Sequence, residues 1–157
     1  GRKEGRRVNA RVHRVHWYNS LNYGAARISV KRNSIIRENI FFHLCFGGGT
    51  RYSAGEDTLF IQEMLKHHLK VYAYPVEIAS VNQYTSTWFK GYTKKYYYDK
   101  GALYRAISPA FWRLLCIQDL IRHRSRLEKS SLSFCSAYTI MSKGACGFIK
   151  LNRYKEN

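Results

Sequence analysis

The strongest constraint on the fold is a helix signal near the middle of the chain. Residues 53–56, Ser-Ala-Gly-Glu, match the capping-box pattern, in which a serine and a glutamate satisfy free N–H groups at a helix start. The residues that follow form an amphipathic run with side chains three or four positions apart, at Phe60, Ile61, Met64, Leu65 and His68. This spacing predicts an amphipathic helix over residues 54–69, which needs a core to cover its apolar side.

The segments on either side of this helix read as short strands and mixed pieces. Extended runs predict a weak strand or loop over residues 8–18, a strand over 26–30, a strand over 71–74 that Pro75 stops, and a further extended piece over 76–81. Residues 35–46 have helical or mixed character, and residues 82–88 are polar and turn-like. Strands and helices together indicate an α/β fold in this part of the chain.

From residue 92 onward the pattern is helical. Helices are predicted over residues 92–107, 110–127 and 132–149, with Pro109 between the first two. Gly144 and Gly147 lie near the end of the third. We therefore expect two parts, a mixed one over residues 1–91 and a C-terminal helical region over residues 92–157.

Positive charge is concentrated at the two ends. The chain has 27 Lys and Arg against 10 Asp and Glu, a formal net charge of +17. Residues 1–32 carry +8 and residues 90–157 carry +10, whereas residues 33–89 carry −1. Such a field favours polyanions, including nucleic acid, phosphorylated substrates and anionic membranes, and it is equally typical of a solvated basic face.

Composition excludes several classes of protein. Only 2 prolines against 11 glycines exclude a Pro-rich linker and collagen, and every apolar run is shorter than the roughly 18–20 residues that span a bilayer. The four cysteines have no C-x-x-C spacing, which argues against a zinc ribbon and favours reduced thiols in a cytosolic setting. Residues 1–7 contain no Met and no apolar core, so we expect the chain to be part of a longer one.

Asp57 is the first candidate catalytic residue. It follows Glu56 in the opening turn of the predicted helix, where acidic residues complement the helix dipole and are common without any catalytic role. Gly49 and Gly55 precede it, and glycine lets a ligand approach the backbone closely. A carboxylate held in this way can act as a general base towards a hydroxyl.

Other motifs give weaker signals. The glycine triplet over residues 47–49 lacks the Gly-Lys-Ser/Thr of a phosphate loop. His67 and His68 are neighbours on the predicted helix and point about 100° apart, so they do not chelate a metal together. Three tyrosines over residues 96–98, between lysines, would suit base stacking or packing on a neighbouring helix, and no nucleic-acid motif supports the first use.

Several short pieces occur in a characteristic order. Residues 46–60, FGGGTRYSAGEDTLF, contain a G-E-D-x-x-F helix start, and residues 70–75, KVYAYP, contain a K-x-Y-x-x-P strand. Residues 86–89, STWF, residues 98–102, YDKGA, and residues 141–144, MSKG, follow downstream. In this order, from about residue 22 to about residue 150, the chain resembles the acceptor-side half of bacterial family 2 glycosyltransferases, which build capsular or cell-envelope polysaccharide.

The resemblance implies both a fold and a reaction. The fold would be a partial GT-A sandwich, Rossmann-like and with short strands, in which residues 1–91 form the acceptor-side half. The reaction would be the inverting transfer of a sugar from a nucleotide-diphosphate sugar to a saccharide or lipid-linked acceptor, with Asp57 deprotonating the acceptor hydroxyl. Glu56 would lie beside it, and Ser86 and Trp88 would belong to a mobile segment near donor or acceptor.

The donor side of that family is not recognisable here. Its metal-binding Asp-x-Asp motif does not occur, and no aspartate precedes Asp57. Residues 80–83, Ser-Val-Asn-Gln, stand where many metal-dependent members have a histidine, so no metal ligand is assigned in this chain. We expect the divalent ion, Mn or Mg, and the nucleotide-sugar to be held by a separate N-terminal half of the same protein, and the isolated chain to be inactive.

The resemblance and the charge together predict a location. The enzyme would be cytoplasmic and peripheral at the inner face of the bacterial membrane. The basic helices over residues 90–157 would rest on anionic lipid, with Phe111 and Trp112 as aromatic anchors, or they would form a solvated basic face with both rings buried in the core. The alternative is a basic module without catalysis that binds nucleic acid or a membrane surface.

Overall fold

The computed structural model describes residues 10–24, 28–76 and 91–153. Its elements are, in chain order, β1 (His13–Arg14), a 3-10 turn (Ser20–Asn22), α1 (Arg32–Arg37), α2 (Glu56–Lys66), β2 (Tyr72–Ala73), α3 (Lys94–Ile107), α4 (Trp112–Arg122), α5 (Arg124–Ser130) and α6 (Phe134–Arg153). The described chain is therefore mixed and mainly helical, which agrees with the α/β expectation at this coarse level.

The chain divides into two compact units that alternate along the sequence. The first unit takes residues 1–43 and 56–85, and the second takes residues 44–55 and 86–157. The segment 44–55 thus packs with helices that follow it much later in the chain. The functional boundary expected after residue 91 stays a prediction, because compactness alone does not show which residues bind an acceptor.

The described sheet is a small one in the first unit. β1 and β2 pair antiparallel, with His13 opposite Ala73 and Arg14 opposite Tyr72. The strand predicted over residues 71–74 is therefore confirmed. The strand predicted over 26–30 is not, because residues 28–30 have no regular structure and residues 25–27 lie outside the described chain.

Helix α2 provides half of the buried apolar residues in the core of the first unit. Its inward residues Phe60, Ile61 and Met64 are buried with other apolar side chains, namely Val15, Ile40 and Ala73. The predicted helix over 54–69 exists but is shorter at both ends. The amphipathic spacing therefore identified the correct buried face.

The two ends of α2 show why it is shorter than predicted. The prediction of a capping box is wrong, because Gly55 has a φ of +124° and the Ser53 hydroxyl donates to Asp99 instead. At the other end His68 is left-handed, with a φ of 58°. His68 N donates to Leu65 O at 3.1 Å and Leu69 N to Met64 O at 2.9 Å, which is a Schellman motif that ends the helix at Lys66.

Helices α3 and α6 pack backbone to backbone in the second unit. A Cβ built on Gly101 would overlap the main-chain carbonyl of Met141, and one on Gly144 would overlap that of Tyr98. Glycine is therefore required at both points of contact. Around this pair lies a core that includes Tyr97, Tyr104, Trp112, Cys116, Leu120, Leu127, Ala137, Met141 and Ala145.

The remaining helices differ from the prediction at one point. Residues 110–127 form two helices, α4 and α5, because His123 leaves the helical conformation with φ −120° and ψ 39°. Its ring Nδ1 lies 3.1 Å from the carbonyl oxygen of Asp119, one turn earlier. None of the helices within residues 10–24, 28–76 and 91–153 is long and apolar enough to cross a membrane.

Trp112 does not serve as the interfacial anchor that the sequence predicted. Its side chain is buried in the core of the second unit, and the Arg113 guanidinium lies 4.8 Å from its ring centroid. Phe111, by contrast, is exposed. The two adjacent aromatic residues therefore have opposite environments.

Candidate functional site

The start of α2 carries the candidate catalytic carboxylates. Glu56 and Asp57 lie in the first turn of the helix, and both residues are half-buried. The N-terminal N–H groups of a helix carry partial positive charge, and acidic side chains are common beside them. The predicted placement of Asp57 in an opening helical turn is confirmed.

The helix that carries Asp57 is firmly held within the first unit. The ring of Phe60 stacks on that of Phe42, with centroids 4.1 Å apart and planes 9° apart. Gln62, which is buried, donates to the carbonyl oxygen of Trp17 at 3.1 Å and to the Ser20 hydroxyl at 2.6 Å. These contacts fix the rotation of α2, and with it the direction of its first turn.

The Asp57 carboxylate is partly buried. Its Oδ1 atom is shielded from solvent. A hydroxyl brought within about 2.6–3.2 Å of such a group can lose its proton to it.

The glycine-rich segment forms a closed loop in the second unit. Gly47 and Gly49 have φ angles of 124° and 79°, which L side chains rarely adopt. Gly47 N donates to Tyr52 O at 2.8 Å, and Tyr52 N donates to Cys45 O at 3.0 Å. The Thr50 hydroxyl lies 3.0–3.1 Å from three carbonyl oxygens of the same loop and donates to one of them. The turn is thus built from its own polar groups.

Two aromatic rings attach this loop to the helices of its unit. Phe46 and Tyr52 are buried and stack with centroids 4.7 Å apart. Phe46 also approaches Phe148 at 5.7 Å, and Tyr52 approaches Tyr98 at 6.5 Å. Burial raises the pKa of the Tyr52 hydroxyl. The ring of Tyr52 is therefore a neutral packing element at physiological pH.

Asp99 is a buried residue whose role the sequence did not reveal. Its Oδ2 accepts hydrogen bonds from Ser53 N at 3.0 Å and from Ser53 Oγ at 2.6 Å. Lys95 Nζ donates to both carboxylate oxygens at 2.9 Å and to the main-chain oxygen of Arg51 at 2.9 Å. The carboxylate therefore ties α3 to the end of the loop. In the sequence Asp99 is a lone acidic residue four positions after a lysine on a strongly basic helix, and it lies in the YDKGA piece over residues 98–102.

The two candidate ligand-approach glycines have different surroundings. A Cβ at Gly49 would meet no atom within 4 Å, so this position has open space beside it. A Cβ at Gly55 would meet the Leu103 side chain at 2.7 Å, so this glycine is needed for packing as well as for its backbone angle. Gly49 alone keeps the expected room for a ligand next to the main chain.

A second buried carboxylate, Asp119, organises α3, α4 and α5. Its Oδ1 lies 3.0 Å from His123 Nδ1 and 3.8 Å from Arg126 Nη1, which in turn donates to the Tyr96 hydroxyl at 3.0 Å. Burial raises the pKa of Tyr96 to about 12 and that of Cys116 to about 12. The Cys116 thiol is therefore protonated at neutral pH and is not a nucleophile.

The three adjacent tyrosines of α3 are used in packing. Tyr97 is buried, and Tyr96 makes edge-to-face contacts with Tyr92 and Tyr97 at 5.3 Å. Tyr98 faces Tyr52. This packing accounts for the tyrosines without a nucleic-acid ligand.

The predicted site residues fall into three groups. Glu56 and Asp57 share one helical turn in the first unit, whereas Gly49 and Gly55 belong to the second unit. Ser86 and Trp88 lie outside the described residues, as do most of the extended piece over 76–81, the turn-like segment over 82–88 and the chain start over 1–9. Of the described site residues, Glu56 and Asp57 share a helical turn, and Gly49 and Gly55 share a unit.

The described residues do not form a metal centre. No group of three or more His, Cys, Asp or Glu able to hold an ion occurs within residues 10–24, 28–76 and 91–153. His67 lies 3.4 Å and 3.6 Å from carboxylate oxygens of Glu38 and Glu63. The Arg37 and His67 side chains lower the pKa of Glu38. These contacts lie at the surface, and the four cysteines form no disulfide.

Searches of protein-family models, curated proteins and solved structures find no match to this chain. Its function is therefore inferred from its own residues.

Proposed function

We propose that the chain is the acceptor-side half of an inverting family 2 glycosyltransferase with a GT-A fold. The enzyme transfers a sugar from a nucleotide-diphosphate sugar to a saccharide or lipid-linked acceptor, in capsule or cell-envelope polysaccharide synthesis. The observation that carries the proposal is Asp57, a half-buried carboxylate in the first turn of an anchored helix, inside the G-E-D-x-x-F motif.

In the proposed reaction Asp57 is the general base. It takes the proton of the acceptor hydroxyl as that oxygen attacks the anomeric carbon of the donor, and the bond from that carbon to the nucleotide diphosphate breaks. Attack from the side opposite the leaving group inverts the anomeric configuration. Glu56 lies next to it in the same turn and is available to hold another acceptor hydroxyl.

The donor and its divalent ion are assigned to residues outside this chain. The sequence has no Asp-x-Asp, the motif that holds the metal ion in that family. When bound, such an ion neutralises the charge of the leaving diphosphate. Nucleotide-sugar therefore binds this chain weakly, and calorimetric titration with uridine- and guanosine-diphosphate sugars plus manganese tests that. Micromolar affinity for any of them would show that the donor site lies here.

The test of the base uses the full-length protein that contains this chain. Asp57→Asn keeps the size of the side chain and removes its ability to accept a proton. We expect turnover to fall by roughly 10²–10⁴-fold, the usual contribution of a positioned base. Transfer of labelled sugar to the membrane-extracted acceptor measures it.

The matched control is Glu63→Gln on the same helix. Glu63 is partly exposed and pairs with Lys66 at 3.0 Å, so this change should leave both turnover and melting temperature nearly unchanged. Asp57→Asn should likewise melt close to the parent. If Asp57→Asn transfers sugar at the parental rate, Asp57 is not the base.

A further inference from the structure

Helix α4 exposes a row of apolar side chains. Phe111 is 63% exposed, Leu114 62%, Ile117 36% and Ile121 65%. Leu114, Ile117 and Ile121 lie three, four and seven positions apart, so they share one side of the helix. We call the four residues Phe111, Leu114, Ile117 and Ile121 the outer row.

The inner side of α4 is already satisfied. Trp112, Cys116 and Leu120 are buried in the core of the second unit. Asp119, the one acidic residue of the helix, is also buried. The outer row is therefore a second apolar surface that the described core does not use.

Basic side chains border the outer row on both sides. Arg113 and Arg122 are exposed, and nine residues of helix place them roughly 180° apart, one on each margin. Arg124, at the start of α5, is exposed as well. Glu128 on α5 is the nearest exposed acidic residue in sequence. The surface thus combines an apolar centre with cationic edges.

We propose that this surface is an interfacial helix that docks on an anionic lipid bilayer. Leu114, Ile117 and Ile121 enter the region between headgroups and acyl chains, and Phe111 occupies the headgroup level at one end. The arginines contact lipid phosphates. The helix has 11 residues, so it lies along the surface and does not span it.

Charge favours lipid over a second copy of the chain as the occupant. A symmetric dimer would place the outer row against itself and bring its arginine margins against the same margins of the partner. Like charges at close range are unfavourable. The negative headgroups of an anionic bilayer complement the arginine margins, and its apolar interior accommodates the outer row. The proposal needs no sugar transfer and stands if Asp57 proves not to be a base.

Vesicle sedimentation of the 157-residue chain tests the docking. We expect binding to phosphatidylglycerol vesicles, little binding to phosphatidylcholine vesicles, and loss of most binding as salt rises from 0.1 M to 1 M, where the screening length shrinks from about 10 Å to about 3 Å. An apolar variant, Leu114→Ser with Ile121→Ser, should lower partition at least roughly tenfold. A charge variant, Arg122→Gln with Arg124→Gln, should lower it by a similar factor.

Each variant has a matched control elsewhere. Val30→Ser with Ile36→Ser removes two exposed apolar side chains from the first unit, and Lys94→Gln with Lys143→Gln removes two exposed charges from α3 and α6. The apolar control should bind as the parent does, and the charge control should lose less than Arg122→Gln with Arg124→Gln. Circular dichroism confirms that all variants stay folded.

Three results would overturn the proposal. The first is equal partition onto neutral and anionic vesicles, or none onto either. The second is a result in which the charge variant and its charge control lose binding equally while the apolar variant binds normally. The chain would then adsorb to the vesicles through its net charge alone. The third is a dimer in light scattering that the apolar variant converts to a monomer, because the outer row is then an interface between copies.

Discussion

Helices α3 and α4 lie in the same unit and differ in what they leave at the surface. Each buries apolar side chains together with one carboxylate, Asp99 in α3 and Asp119 in α4. Helix α3 keeps Lys94 at the surface, whereas α4 leaves leucine and isoleucine there. Both sequences are amphipathic, so periodicity alone does not show whether a helix has one apolar surface to bury or two. The second surface of α4 is the one that we propose docks on lipid.

The largest effect is expected where α3 meets α6. Gly144→Ala places a Cβ on the main-chain carbonyl of Tyr98, which neither helix backbone can avoid. We expect a loss of about 3 kcal/mol or more in the free energy of unfolding, or no folded second unit at all. Urea unfolding followed by circular dichroism measures it.

The control for the helix contact is Gly91→Ala. Gly91 has a φ of +90° but open space beside it, so this change adds only backbone strain, about 1–2 kcal/mol. Equal stability of the two variants would mean that α3 and α6 do not touch through glycine.

Alkaline pH should weaken the second unit next most strongly. Burial raises the pKa of Tyr96 from 10.0 to about 12 and that of Cys116 from 9.0 to about 12. Because the folded values are the higher ones, the folded state keeps protons that the unfolded state loses, and the free energy of unfolding falls as pH rises from about 9 to about 12. Each group contributes at most about 1.4 kcal/mol per pH unit.

A tyrosine substitution separates this effect from general alkaline damage. Tyr96→Phe should flatten the decline between pH 10 and pH 12, whereas Tyr74→Phe, at an exposed position of the first unit, should not. Urea titrations at several pH values give the slopes. If Tyr96→Phe leaves the slope of the free energy of unfolding against pH unchanged, the burial of Tyr96 does not contribute to the alkaline destabilisation.

The Asp99 link should have a smaller effect. Asp99→Ala removes the carboxylate that accepts hydrogen bonds from Ser53 and Lys95, so the Ser53 main-chain N–H loses its acceptor. We expect the free energy of unfolding to fall by about 1–3 kcal/mol. Glu128→Ala, on an exposed acidic residue, should change stability by less than about 0.5 kcal/mol. A double-mutant cycle with Ser53→Ala should show coupling, and additive effects would mean that the two residues do not interact.

The smallest effect on stability is expected for the outer row. Leu114→Ser with Ile121→Ser should change the free energy of unfolding by about 0.5 kcal/mol or less, because Leu114 is 62% exposed and Ile121 65%. Leu120→Ala, one position away on the buried side, should cost about 2–5 kcal/mol. Thermal melts compare them. A strongly destabilised outer-row variant would show that this face is part of a core.

Local signals predicted the helices well where local interactions decide them. The start of α3 is one such case, since the Thr93 hydroxyl accepts from Tyr96 N at 3.3 Å and begins the helix within two residues of the predicted start. The capping box failed because the partner of Ser53 lies 46 residues further along the chain. The break between α4 and α5 at His123 accompanies the contact of its ring with Asp119. The spacing of apolar residues does not predict that contact.

The candidate site was predictable to a similar degree. The position of Asp57 in a helical first turn follows from short-range sequence alone. Gly55 packs against the side chain of Leu103, which is distant in sequence. Asp99 is buried and hydrogen-bonded because the loop that ends at Ser53 covers it. A glycine or a carboxylate can contact a ligand or stabilise the fold. Which of the two it does depends on the residues that surround it in three dimensions, and the sequence does not show them directly.

The attachment of the 44–55 loop to α3 and α6 has a consequence during synthesis. Phe46 finds its aromatic neighbour Phe148 only after about 100 further residues have been translated, which takes roughly 5–20 s at ordinary ribosome speeds. Through that interval Phe46 and Tyr52 lack their final burial, so the growing chain carries an apolar segment that a chaperone can hold. The second unit completes itself only when its last helix leaves the ribosome.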